Sequence, residues 1–267
     1  MAYPLVGPES LAATLPRRGL YDVRWRLGDP DFGRRAYGEA HIPGAVFVDL
    51  DTDLSGPPGR DGRHPLPDPR SFLTTLRRLG IGEETDVVVY DDATGIVAAR
   101  MWWMLSSIGH QRVQLLEGGI QGWIGAGLPV EAGTVESEPS MYPGPIAFSG
   151  VVTIDELAGR QLVDVRAQGR YLGEYEPVDP RPGHIPGAVN VPTTEALVGD
   201  KFAERDHLTA VYRDLNDPVF SCGSGVNACH SALAMVAAGF PMPDIYVGSY
   251  SEWSRSDRPV ATGAEPD

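Results

Sequence analysis

His41-Ile42-Pro43-Gly44-Ala45-Val46 recurs as His184-Ile185-Pro186-Gly187-Ala188-Val189, and each copy opens an apolar stretch with the length of a short buried strand. Six identical residues in a row mark a duplication rather than a coincidence. Upstream of the copies stand Asp22-Val23-Arg24 and Asp164-Val165-Arg166. Downstream, Gly118, Trp123, Pro129 and Val130 answer to Gly248, Trp253, Pro259 and Val260. The markers keep their order, so the repeated unit is a whole domain. The expected division is 1–131 and 151–267, joined by a linker at 132–150 in which Pro139, Pro143 and Pro145 sit among glycines and serines without a periodic apolar pattern.

Within the first copy, apolar runs near 20–26, 45–50, 86–90 and 112–116 alternate with helix-like segments near 69–79, 96–109 and 118–126. The second copy repeats the scheme, with strands near 161–166, 187–191, 217–221 and 244–247 and a long helix from about 226 to 239. Alternation at this spacing predicts an α/β fold: two tandem domains, each a parallel sheet flanked by helices. Parallel sheets bind ligands beyond the C-terminal ends of their strands, where helix N-termini also gather.

Composition narrows the chemistry. With 42% hydrophobic and 22% charged residues, the chain has the balance of a soluble globular protein able to bury a core. A formal charge of −14 argues against nucleic acid as a partner, because a phosphate-tracking surface needs clustered Lys and Arg. Lys201 is the only lysine and lies outside any Gly-rich loop, which leaves little room for Schiff-base or phosphate-loop chemistry. The N-terminus lacks a basic region followed by an apolar one, and no run of eighteen apolar residues occurs, so no membrane span is expected and the cytoplasm is the expected location. Two cysteines are too few for a disulfide framework or a cysteine zinc site. No metal and no cofactor is expected.

The segment Cys222-Gly223-Ser224-Gly225-Val226-Asn227-Ala228-Cys229 runs from the strand Pro218–Ser221 into an apolar helix. Two glycines within four residues let the backbone curl around the sulfur, so that N–H groups of Gly223, Gly225, Val226 and Asn227 can form an anion nest at a helix N-terminus. Such a nest stabilises a thiolate and would equally hold a persulfide anion. Cys222 is thus the candidate nucleophile, its alternative being a buried small hydrophobe. Cys229, early in the helix on a packed face, reads as structural, and a Cys222–Cys229 disulfide does not suit a loop centre facing a helical residue.

These residues resemble the tandem-domain rhodanese and 3-mercaptopyruvate sulfurtransferase family. The resemblance spans almost the whole chain: both HIPGA motifs, the two-copy layout, Trp102-Trp103 in an arginine-led helix, and the Gly-Ser-x-x-Glu-Trp ending at Gly248 to Trp253. The loop is similar to the CGSGVTAC loop of the mercaptopyruvate branch, with Asn227 in place of the usual Thr, whereas thiosulfate-type rhodaneses resemble CRKGVTA. What the resemblance implies is a rhodanese fold in each domain, activity in the second alone, and transfer of sulfane sulfur from mercaptopyruvate, or from thiosulfate, through a Cys222 persulfide to a thiol, cyanide or thioredoxin-like acceptor. In keeping with one active copy, laying Gly95-Ile96 over Gly225-Val226 puts Asp92 opposite Cys222, and a carboxylate carries no transferable sulfur.

A small anionic donor needs local positive charge, and the arginine fork suits a carboxylate. Arg170 matches the family arginine that binds the donor carboxylate; Arg181 is a candidate second ligand. Ser224 is a candidate proton donor to the leaving group or a stabiliser of the sulfur, against a merely backbone-satisfying role. Arg166 has a twin at Arg24, which points to a structural role. His41 and His184 likewise read as histidines bonded within their own repeated turns, with His41 keeping an alternative reading as a partner of Ser224 in a proton relay. A cysteine phosphatase would need an arginine six residues after the cysteine, where Ala228 stands. A non-enzymatic persulfide carrier remains the other alternative.

Overall fold

The computed structural model of the chain describes residues 3–266. Its residues fall into two units, the first ending at Gly56 and resuming over Pro67–Ser149, the second made of Pro57–Leu66 and the residues from Gly150 onward.

In the first unit, β1 (Leu5–Val6), α1 (Pro8–Ala12), β2 (Gly19–Asp22), α2 (Phe32–Glu39) and β3 (Val46–Phe47) precede α3 (Pro69–Arg78), β4 (Val87–Tyr90), α4 (Ala98–Ser107), β5 (Val113–Leu116) and α5 (Gly119–Gly125). The five strands form one parallel sheet in the order β1-β5-β4-β2-β3. In the second unit, β6 (Val151–Val152), β7 (Gln161–Asp164), α6 (Gln168–Leu172), β8 (Val189–Asn190), the antiparallel pair β9 (Leu197–Val198) and β10 (Lys201–Phe202), α7 (Arg205–Tyr212), β11 (Pro218–Ser221), α8 (Val226–Ala238), β12 (Asp244–Tyr246) and α9 (Ser249–Trp253) follow. Its parallel sheet runs β6-β12-β11-β7-β8, the same order by element. The central strands β4 and β11 are buried at every residue, which is why both read as continuous apolar runs rather than alternating ones.

The repeated residues make repeated bonds. Ile42-Pro43-Gly44-Ala45 and Ile185-Pro186-Gly187-Ala188 are turns closed by Ala45 N–H to Ile42 O (2.9 Å) and Ala188 N–H to Ile185 O (3.0 Å), with proline second and a positive-φ glycine third. Both motif histidines stack on a tyrosine, His41 on Tyr37 and His184 on Tyr171, and share a hydrogen bond with that residue's carbonyl through Nδ1. Their backbones pair with Glu131 and Ala261, while Trp123 and Trp253 donate Nε1–H to Pro129 O and Pro259 O. Each HIPGA motif therefore ties the start of a domain to its end. The Asp-Val-Arg motifs are equally matched: Arg24 chelates Asp22 and bonds Ala40 O, and Arg166 chelates Asp164 and bonds Gly183 O.

Residues 132–149 carry no helix or strand, but they are pinned to the first unit. Gly133 N–H bonds Gly38 O, Ser140 N–H bonds Arg77 O, and Ser149 bonds Ser107 O through both its amide and its hydroxyl. Among the described residues no helix is long and apolar enough to cross a membrane.

Candidate active site

Cys222 is the first residue beyond β11, and Gly225 caps α8 in the left-handed region (φ 78°). That conformation favours glycine, and so does space: a Cβ on Gly225 would stand 2.5 Å from Val247 O. The payoff is at the sulfur, where Gly225 N–H donates to Cys222 Sγ at 3.1 Å. Val226 and Asn227 form the first turn of the thirteen-residue α8, where N–H groups lack intrahelical acceptors. The loop is held from behind by α9: Cys222 O accepts from Tyr250 N–H (3.0 Å), Gly223 O accepts from Ser251 N–H (2.8 Å), and Cys222 N–H donates to Ser249 Oγ (3.1 Å). Cys222 is 2% exposed. Cys229 is fully buried in the first turn of α8 with Sγ donating to Gly225 O.

The first unit shows which of its residues corresponds to Cys222, and it is Asp91 rather than Asp92. Tyr90 and Ser221 occupy the same register position beside Asp22 and Asp164. Asp91 O accepts from Ile120 N–H just as Cys222 O accepts from Tyr250 N–H, two residues after Gly118 and Gly248 respectively. Laying Gly95 over Gly225 misses this because the first loop has one more residue, with Thr94 at φ 58°. The Asp91 carboxylate fills the nest, accepting N–H bonds from Ala93, Gly95, Val97 and Ala98 at 2.8–2.9 Å. An internal carboxyl group, its pKa raised by burial against the four N–H bonds, thus occupies in one repeat the position that a sulfur occupies in the other.

Ser224 has a histidine partner in its own unit. Its Oγ lies 2.9 Å from Nδ1 of His64, a residue of the Pro57–Leu66 segment that belongs to the second unit. His41 is fully buried in the first unit, with Nδ1 at Tyr37 O and Nε2 3.3 Å from Glu131, so it is held within its own turn, and the imidazole beside Ser224 is that of His64. His64 lies outside the repeated motifs, so recurrence carries no signal for it.

Arg170 lines the loop. Its Nε and Nη2 grip Glu176, Nη2 also reaches Asp179, and Nη1 lies 3.5 Å from where a Cβ on Gly223 would stand. Burial works against ionisation of Glu176, but hydrogen bonds from Arg170 and from the Asp179 and Val178 amides more than offset it and hold the carboxyl below its usual range. Arg181 is differently employed: its guanidinium donates to the carbonyls of Trp253, Ser254, Ser256 and Arg258. Those are carbonyls at and beyond the end of α9, of which Trp253 O also accepts from Ser256, so the Arg181 guanidinium is committed to clamping that helix end rather than turned toward a donor.

The loop carries no cation of its own, yet the site is not poor in positive charge. Asp179, its side chain fully buried, accepts from Arg63, Arg170 and Arg255, while Glu176 also meets Arg166. A strand-end thiol, a hydroxyl paired with an imidazole, and guanidiniums beside the loop form a set that can hold a small anion and serve nucleophilic and proton-transfer chemistry.

Comparison with known proteins agrees. The family described as "Rhodanese-like domain" matches residues 8–126 and 153–256. The chain is 42% identical to a Pseudomonas aeruginosa protein named "Probable 3-mercaptopyruvate sulfurtransferase", covering 97% of this chain and 98% of that one. It is 36% identical to the thiosulfate sulfurtransferase of Rattus norvegicus, over 91% of this chain and 87% of the other. Among solved structures, 3-mercaptopyruvate sulfurtransferase from Leishmania major superimposes with a TM-score of 0.85 at 33% identity, covering 94% of this chain and 74% of that one. With its duplicated parallel sheets and a single cysteine-bearing loop, the chain belongs to the rhodanese-like family and is an enzyme of the sulfurtransferase kind.

Proposed function

We propose that the enzyme transfers sulfane sulfur from 3-mercaptopyruvate through a Cys222 persulfide to a thiol, with cyanide and thioredoxin-like proteins as further acceptors. The observation that carries this is the strand-end sulfur, held by the Gly225 N–H at the N-terminus of α8. In the first step the Cys222 thiolate attacks the donor sulfur. The Sγ–S bond forms, the donor C–S bond breaks, and its electron pair departs as the enolate of pyruvate. Ser224, backed by His64, delivers a proton to that enolate. In the second step an acceptor thiolate attacks the outer sulfur and leaves Cys222 as thiolate again. Arg170 binds the donor carboxylate; residues 151–267 together with the 57–66 segment form the catalytic domain, and the cytoplasm is its compartment.

Thiosulfate is the second reading, favoured by the guanidiniums beside Gly223, which supply the cations that the loop lacks. Mercaptopyruvate remains preferred because its leaving group needs a proton and the Ser224–His64 pair supplies one. Intact mass is expected to rise by about 32 Da on donor addition, reversibly with reductant, as a persulfide requires. Cys222→Ser removes both the adduct and turnover, and a Cys222→Ser protein with normal transfer activity refutes the assignment. His64→Ala lowers kcat with mercaptopyruvate by about 100-fold or more and affects thiosulfate less; higher kcat/KM for thiosulfate in the wild type rejects the donor choice.

A further inference from the structure

We propose that Ser249 is a positioning residue for the nucleophile: its hydroxyl, presented by a strained backbone, fixes the Cys222 amide and through it the sulfur against the Gly225 N–H. The proposal rests on the reading of Cys222 as nucleophile. Ser249 opens α9 with φ at 52°, in the left-handed region that a residue with a side chain seldom enters. It is fully buried. The matching position of the first repeat is Gly119, at φ 55°, since the residues that follow, Ile120 and Tyr250, donate N–H to the matching carbonyls Asp91 O and Cys222 O. Glycine takes this conformation without strain, and at 119 space also demands it, because a Cβ there would stand 2.2 Å from Asp91 O. The second repeat carries a side chain at the same φ. The residue before it differs in step, Gly248 at φ −58° against Gly118 at 71°.

Strain persists at a residue only where the surroundings over-determine it, and functional sites are where it gathers. Here the surroundings use both capacities of the Ser249 hydroxyl. Its O–H donates to Tyr246 O (2.8 Å), and its Oγ accepts from Cys222 N–H (3.1 Å). Tyr246 is the last residue of β12, the strand beside β11, so the hydroxyl ties the nucleophile's amide to the sheet. Cys222 is thereby held at three points: its N–H by Ser249, its carbonyl by Tyr250 N–H (3.0 Å), and its Sγ by Gly225 N–H (3.1 Å). With amide and carbonyl both fixed, the direction of the Cα–Cβ bond is fixed too, and Sγ is aimed at the Gly225 N–H. The two loops show why the serine belongs to the second repeat. Asp91 clasps its own loop, its carboxyl accepting from the N–H groups of Ala93, Gly95, Val97 and Ala98. A sulfur that alternates between thiolate and persulfide cannot serve as such a clasp. What Asp91 does from inside its loop, Ser249 does from outside the other.

The test uses the full chain and two variants. Ser249→Ala removes the hydroxyl and keeps a side chain at the positive φ; Ser249→Gly removes the hydroxyl and relieves the strain. Persulfide formation is followed by intact mass in single turnovers with mercaptopyruvate, and melting temperature is read on the same proteins. Both variants should form persulfide about ten- to a hundredfold more slowly, the loss expected when a reacting atom is misplaced by up to about 1 Å, with the donor concentration for half-saturation unchanged. Stability should not follow rate: Ser249→Gly should melt above Ser249→Ala and close to the wild type. A Ser249→Gly protein that loads sulfur at the wild-type rate overturns the proposal. So does one that melts far below the wild type, since the hydroxyl then serves the fold and not the sulfur. A wild type that takes no sulfur from mercaptopyruvate sinks the donor assignment alone. Alkylation of Cys222 by iodoacetamide, located by peptide mass, then judges the hydroxyl: slower reaction in both variants supports it, and equal rates in all three proteins overturn it.

Discussion

Asp179→Asn is the perturbation that asks most of this site. The carboxylate is fully buried and accepts from Arg63, from Arg255 at 3.1 Å and from Arg170 at 3.4 Å. Asparagine keeps the volume but removes the charge and turns an N–H₂ toward a guanidinium. Arg170 retains Glu176, so the burden falls on Arg63 and Arg255. Removing one member of a buried ion pair costs about 3–5 kcal/mol, and the partial exposure of these two arginines returns some of it to water, so a loss of about 2–3 kcal/mol is expected. Hydrogen exchange of the β11 and α8 amides reads the second unit by itself; urea unfolding of the same protein should show a midpoint lower by roughly 1 M, for a slope of about 2 kcal/mol per M. Donor KM should rise as well, because Arg63 loses its fixed end. A change below about 0.5 kcal/mol, the scatter of ordinary surface substitutions, together with an unaltered KM, would refute the view that Asp179 organises the cations.

Asp91→Ala strips the acceptor from four buried N–H groups and should cost the first unit about 3–5 kcal/mol, while sulfur loading at Cys222 in the folded fraction stays normal; differential scanning calorimetry and intact mass read the two effects. Gly225→Ala forces a Cβ against Val247 O at a positive φ, so persulfide formation should fall at least tenfold with secondary structure retained by circular dichroism. Glu176 is held below its usual range, so its contribution to stability is complete above the ordinary glutamate value and lost as pH falls through the lowered one. Glu176→Gln should therefore flatten the acid limb of a stability-against-pH curve, with the variant and the wild type converging at low pH.

The architecture was legible because duplication exposed it. Each recurring residue turned out to make a recurring bond: the histidine to its tyrosine carbonyl, the tryptophan to its proline carbonyl, the arginine to its aspartate. The loop from Cys222 was legible too, since glycine spacing after an apolar run specifies a turn into a helix whatever lies around it. Recurrence marks residues that serve the fold, as His41 does in its turn; Arg63 and His64 lie outside the repeated motifs, and they stand at Gly223 and Ser224. Arg181 failed for a different reason. Its neighbours in sequence do not reveal that the carbonyls ending α9, some seventy residues away, would consume its guanidinium. The one-residue difference between the Asp91 and Cys222 loops is likewise invisible without register, because the glycines align perfectly well with the loop lengths unequal.

Duplication also explains why the two loops diverged as they did. A nest of inward N–H groups must hold an anion or be left unsatisfied, and the two repeats meet that demand differently. In the first unit Asp91 closes the nest permanently, which stabilises the loop and excludes a ligand. In the second unit the loop holds a sulfur, with the Gly225 N–H donating to Cys222 Sγ. The side chains beside that loop are those of Arg170, from the second repeat, and of Arg63 and His64, from the sequence of the first. Under the proposed mechanism, sulfur uptake is expected to rest on the Cys222 loop, and the choice of donor on the groups beside Gly223 and Ser224.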